Sequence, residues 1–180
     1  MLQDFQEIQL IKPTSDLHSE FIDMIKEYQE IGEARIYDQD FLQLIESDFL
    51  GYIEYLENNS QGMELKPGFV PATTFWLVLN HKIIIGESRL RHWLVPSLEH
   101  WGGHIGYMIR PLERGKGYGT KMLNLTLEQA RNMGLNRVLL TCNQDNHASA
   151  CVIQKNNGKF TSEGLLASKN KVIHRYWIDL

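Results

Sequence analysis

The sequence predicts an α/β fold: a mixed sheet with helices on its faces, in a single domain spanning residues 1–180. Three observations predict it. The composition, 43% hydrophobic and 22% charged over 180 residues, suits one packed domain with a real core. β-branched and aromatic runs are interleaved with segments whose apolar residues recur every three or four places. A strand–helix–strand unit occupies residues 103–142, and a connection of that kind sets its two strands parallel.

The elements follow in order. "IQLIKP" reads as a first strand, and Thr14, Ser15 and Asp16 offer caps for a helix to about Glu30. A second helix is expected after Asp38, with Phe41, Ile45, Phe49, Tyr52 and Leu56 on one face. "NNSQG" ends it and "MELKPGFVPA" is a loop. "TTFWLVL" and "KIIIGESRLRHWLV" form a hairpin turning at Asn80–His81. "PSLEHWGG" is a turn region and "HIGYMIR" a further strand. Leu123, Leu127, Ala130 and Met133 make a helical stripe that Gly134 stops. "RVLLT" is apolar enough for a strand buried on both faces. A short helix follows the caps Asp145 and Asn146, and "GKFTSEGLL" with "KVIHRYWIDL" closes the chain as a hairpin.

Composition also narrows the function. A formal charge of −4 disfavours nucleic acid as a partner. No run of 18 apolar residues suggests a membrane span, and "MLQDFQEIQL" lacks the basic and apolar segments of a signal peptide. The two cysteines, Cys142 and Cys151, fit no zinc spacing and read as two buried thiols of a cytoplasmic protein without a metal.

The densest chemistry lies in "RPLERGKGYGTKM", residues 110–122. A Walker A loop needs four residues before Gly-Lys-Ser/Thr, and a dinucleotide loop needs G-x-G-x-x-G. Here Gly115, Gly117 and Gly119 alternate with single residues, so neither pattern is met. The physics of both loops still applies. A helix starting near Gly117 offers N–H groups with no partner inside the helix, and they carry partial positive charge. Glycines let a ligand approach the backbone, and Arg114 and Lys116 add charge. The loop therefore reads as a phosphate site, with pyrophosphate the best fit.

Arg114-x-x-Gly117-x-Gly119 resembles the R/Q-x-x-G-x-G/A motif of the GNAT superfamily of acyl-CoA-dependent N-acetyltransferases. The context agrees: the motif follows a strand ending "YMIRP" and opens a helix. "DNHASACVIQKNNGKF" is similar to the family's N-x-x-S … G-F segment. "VPATTFWLV", "GGHIGYMIRP" and "HRYWI" look like a subgroup of acetyltransferases without an assigned substrate. The resemblance is strongest over residues 72–180. It implies a largely antiparallel sheet of about seven strands, about four helices and a splayed central parallel strand pair. It further implies acetyl-CoA as co-substrate, with the pyrophosphate on the backbone of Arg114, Gly115, Lys116, Gly117, Tyr118, Gly119 and Thr120. Met108 and Ile109, on a strand expected to carry a bulge, would pair with the pantetheine arm. Asn146 would contact it through its amide, with Ser149 as a further candidate.

Acetyl transfer to an amine needs a group to take a proton, stabilisation of an oxyanion and protonation of the thiolate. The tyrosine that many relatives carry near position 153 is Ile153 here. Either another group or a water then supplies the proton, or the thiolate leaves unprotonated; Tyr176 is the side-chain candidate. His104 is the candidate base, because a histidine's pKa suits work near neutrality, with Glu99 and His100 as second choices. Trp93 and Trp101 are candidates for the acceptor pocket. The reading is an N-acetyltransferase acting on a primary amine, a small molecule ahead of a peptide or protein amine, in a monomer or homodimer. The alternative is a non-catalytic acyl-CoA-binding sensor of the same fold.

Overall fold

The computed structural model describes residues 7–33, 37–63, 65–166 and 170–180. Among the described residues seven strands form two antiparallel sheets, accompanied by six α-helices. In the first sheet β1 (Ile8–Ile11), β2 (Ala72–Leu79), β3 (Ile83–Arg91) and β4 (Ile105–Ile109) lie in chain order. In the second, β7 (Lys171–Asp179) runs between β5 (Arg137–Asn143) and β6 (Lys159–Leu166).

Helix α1 (His18–Glu30) follows a short 3-10 turn capped by Thr14. The single helix expected after Asp38 is two helices, α2 (Gln39–Ser47) and α3 (Phe49–Ser60). Asp48 separates them: its backbone leaves the helical region, and its carboxylate accepts the Gly51 N–H at 2.9 Å to cap α3. An apolar stripe continues across the break, so periodicity alone cannot show it. These three helices cover one face of β2 and β3 through Phe21, Met24, Ile25, Ile45, Phe49 and Trp76. The turn region before β4 contains a further short helix, α4 (Pro96–His100).

The β2–β3 hairpin turns at Asn80 and His81, both left-handed, as their position in the sequence suggested. The bulge expected in β4 lies instead in β3: Leu77 pairs with Gly86 and Val78 with Ile84, leaving Ile85 extra. An extra residue reverses which face the next side chain takes. Ile85 thus shares a face with Gly86 and packs with Leu77 and Met122, while Ile84 packs beneath α1–α3 with Val78.

Helix α5 (Tyr118–Asn132) buries Met122, Leu123, Thr126, Leu127 and Ala130. Met133 ends it and is 41% exposed, so it falls off the predicted stripe. The buried Thr126 hydroxyl lies 2.8 Å from that of Ser88, holding α5 to β3. Helix α6 (His147–Lys155) is capped by Asn146. Asn156 donates to the carbonyls of Thr120 and Val152, tying the end of α6 to the first turn of α5.

The parallel strand pair expected from the strand–helix–strand unit is not present as a hydrogen-bonded ladder among the described residues. The backbones of the two sheets join beside β4, where the His104 N–H donates to the Leu139 carbonyl at 2.7 Å. The Leu139 N–H then donates to His104 Nδ1 at 2.9 Å. A side chain has taken the place of the next backbone acceptor, so the ladder stops there. Gly103 permits the approach, since a Cβ at that position would lie 2.4 Å from the Leu139 oxygen. Beyond His104 the outer edge of β4 has no strand partner among the described residues.

Candidate active site

A cleft of about 630 Å³ opens where the sheets part. One wall is β4, with Tyr107, Met108 and Ile109; a second is the loop and first turn of α5, from Glu113 to Thr120 except Lys116. The third is the start of α6, with Asn146, Ala148, Ser149, Cys151 and Val152.

The glycine loop has a conformational cause. Gly115 and Gly117 have φ of 77° and 87°, a region that side chains rarely adopt, and a Cβ at either would face open space. Gly117 caps α5 with no side-chain hydrogen bond. The nearest bonds to its carbonyl come from Thr120 and Lys121, at 3.1 and 3.3 Å, so the N–H groups before them are left for a ligand. The two cations of the loop are already paired. Arg114 makes a two-pronged contact to Glu33 at 2.9 and 2.7 Å, donates to the Ile109 carbonyl, and lies over the Tyr28 ring. Its guanidinium holds the Glu33 carboxyl below the usual range. Lys116 pairs with Glu113 at 3.0 Å and does not line the cleft. What the loop offers an anion is therefore backbone N–H groups more than free side-chain charge.

Tyr107 is a residue that sequence reasoning passed over. Its hydroxyl lies 3.0 Å from Ser149 Oγ, and both line the cleft. Burial pushes its pKa up to about 12, with the Ser149 contact pulling the other way. The only signal in the sequence was its place beside Met108, on the opposite side of the same strand. Asn146 uses its side-chain oxygen to accept the Ser149 N–H at 3.0 Å, which fixes the serine at the mouth of α6. Ile153 is fully buried in the core.

Other candidates lie elsewhere. His104 is 7% exposed and does not line the cleft. Burial, with Arg91 and Arg137 nearby, lowers its pKa to about 4. With Nδ1 accepting from Leu139, the neutral ring has no free lone pair, so it can take no proton from a substrate. Its geometry is that of a pin between sheets. Tyr176 is buried on β7, with its hydroxyl 3.5 Å from His174 Nδ1, and it too is outside the cleft. His100 Nδ1 accepts from Arg175 at 2.9 Å and its Nε2 donates to the Leu165 carbonyl at 3.2 Å, and Glu99 lies beside it in α4. Trp93 is 52% exposed, and neither it nor Trp101 lines the cleft. Cys142 is buried but Cys151 is exposed, against the expectation of two buried thiols. Among the described residues no His, Cys, Asp or Glu cluster is arranged to hold a metal, and no helix is long and apolar enough to cross a membrane.

Comparison with known proteins agrees with this geometry. The chain resembles the microcin C7 self-immunity acetyltransferase MccE, solved with acetyl-CoA and AMP: TM-score 0.70, 18% identity, covering 99% of this chain and 94% of that one. It resembles Mycobacterium smegmatis RimJ, solved with CoA-disulfide, at TM-score 0.72 and 13% identity over 96% of this chain and 81% of that one. It also resembles the ribosomal-protein alpha-N-acetyltransferase RimL, solved with coenzyme A, at TM-score 0.67 and 14% identity over 96% and 94%. At these identities the likeness is one of fold. No curated protein matches the chain by sequence. The model of the acetyltransferase (GNAT) domain matches residues 51–159, more than half of the chain, and includes the whole glycine loop, β4, α5 and α6. The chain belongs to the GNAT family of acetyltransferases.

Proposed function

We propose that the protein transfers an acetyl group from acetyl-CoA to a primary amine by direct attack of the amine on the thioester. One observation carries the reading: the cleft joins an uncapped helix N-terminus to an unpaired strand edge. A pyrophosphate fits the first, and an amide-bearing arm fits the second. The backbone from Arg114 to Thr120 would hold the pyrophosphate, with Met108 and Ile109 along the pantetheine. The Asn146 amide nitrogen would face the same arm, since its oxygen is engaged with Ser149. Holding both reactants in contact supplies much of the rate.

The departing thiolate needs a proton, and Ile153 has none to give. Tyr107 and Ser149 share a hydrogen bond on the cleft wall and supply a donor at that end. The neutral tyrosine is kept protonated by burial. The acceptor is a small amine ahead of a peptide or protein amine. The net charge of −4 favours a cationic one. The similar RimL is a ribosomal-protein acetyltransferase, which keeps a protein amine as the second choice.

Calorimetric titration with acetyl-CoA, with ATP as control, tests the donor site. Micromolar acetyl-CoA binding without ATP binding is expected. No acetyl-CoA binding would overturn the reading. Binding without release of free thiol in the presence of any amine would favour an acyl-CoA sensor.

A further inference from the structure

We propose that Glu87 receives the acceptor amine and takes its proton, in a slot walled by Trp76, Tyr37 and Tyr52 beneath α1–α3. This rests on the acetyl-transfer reading and adds the acceptor end of the site.

The position comes first. Glu87 lies in the middle of β3, directly opposite Met108 on β4. Directly paired residues of an antiparallel ladder present their side chains on the same face. Met108 lines the coenzyme cleft and also packs against the aromatic cluster under the helices. Glu87 is therefore one residue pair away from the wall along which the thioester would lie.

The surroundings point to a ligand. Glu87 sits deep among aromatic side chains yet keeps part of its surface open to solvent. One carboxylate oxygen accepts from the Trp76 indole at 3.2 Å. The Tyr37 hydroxyl, on a residue only 2% exposed, also turns toward the carboxylate, while that of Tyr28 turns toward Arg114. A partly open carboxylate bordered by aromatic side chains suits an alkylammonium head.

The charge state suits the task. Burial pushes the Glu87 carboxyl up to about 7, against the pull of Trp76 and Arg89. The other titratable groups facing it are Tyr28 from α1, Tyr37 before α2 and Tyr52 from α3, all raised by burial and so neutral. Arg89, on the same strand, donates to Asn59 of α3. A carboxylate that titrates near neutrality can take a proton from an ammonium and release it again.

The step balances. The ammonium gives one proton to Glu87. The neutral nitrogen attacks the carbonyl carbon, the C–N bond forms and the C–S bond breaks. The second nitrogen proton ends on sulfur. Glu87 returns its proton to solvent through its open side. The products are an amide, a free thiol and one proton.

The test compares wild type with Glu87→Gln, which keeps an acceptor for Trp76. The Trp76 indole N–H resonance, assigned with Trp76→Phe, is followed by NMR against pH and against n-butylamine. In wild type it should titrate with a midpoint near 7 and shift with n-butylamine; in Glu87→Gln it should do neither. An indole that fails to titrate, or responds alike in both proteins, overturns the proposal. With acetyl-CoA and n-butylamine, kcat/KM should fall about 100-fold or more in Glu87→Gln. The acid limb of the pH profile should vanish, and acetyl-CoA affinity should stay within about twofold, since Glu87 does not touch the cleft. Unchanged turnover in the variant also overturns it. A wild type whose indole responds to n-butylamine, but which releases no thiol, would overturn acetyl transfer to that amine and leave the amine site standing.

Discussion

Replacing His104 by Asn should change how stability depends on pH while leaving catalysis nearly intact. The Asn side-chain oxygen can take the place of Nδ1, so the Leu139 N–H keeps an acceptor. What disappears is the titration. In the folded protein the His104 pKa falls from 6.5 to about 4, chiefly because burial opposes the charged ring. The unfolded chain binds that proton more readily, so acid favours unfolding. The stability is fully present above pH 6.5 and is lost as pH falls toward 4. At about 1.4 kcal/mol per tenfold change in proton affinity, the whole drop is worth about 3 kcal/mol. Most of it is spent by about pH 4.5. Urea unfolding at about pH 7.5 and pH 4.5, for both proteins, reads the difference. Wild type should lose about 2–3 kcal/mol more than the variant over that interval. Carboxylates titrate in both proteins and cancel in the comparison. Equal losses would refute the reasoning, because His104 would then not be held neutral by its site. Turnover should remain within about twofold from pH 6 to 9, whereas loss of a general base would cost about 100-fold or more.

Three further perturbations bear on the cleft. Gly117→Val should abolish measurable acetyl-CoA binding by calorimetry, because φ of 87° excludes a β-branched residue and the added atoms enter the open cleft; normal affinity in a folded variant would remove the loop from the site. Glu33→Gln should tighten acetyl-CoA severalfold at low salt by freeing Arg114 and removing a carboxylate from the cleft wall, and the gain should shrink in high salt; unchanged affinity at both would mean that Arg114 does not meet the phosphates. Tyr107→Phe should lower kcat about 10- to 100-fold with acetyl-CoA affinity unchanged, and an unaltered kcat would move the thiolate's proton source elsewhere.

The glycine loop was the most legible part of the site. Its chemistry is local: alternating glycines, a helix start and a strand end occupy consecutive residues, and backbone geometry follows from them. The β2–β3 hairpin and the capped start of α6 were legible for the same reason. Boundaries without a local signature were not. The break at Asp48 lies within an unbroken apolar stripe, and the bulge at Ile85 lies within three consecutive isoleucines. Periodicity cannot register either, because each leaves the apolar pattern intact.

His104 and Glu87 mark the limit most sharply. The sequence by itself determined the residue types, the strand–glycine loop–helix and the family motif. It named His104 because imidazole has the right intrinsic pKa for a base. The tertiary structure decided otherwise: it spent the ring's lone pair on Leu139, thirty-five residues away, and lowered the pKa by burial. The same effect raised Glu87, an unremarked carboxylate in a strand, to near neutrality by packing Trp76, Tyr37 and Tyr52 around it from separate elements. Desolvation depends on which distant segments cover a group, and no local pattern of residues carries that information.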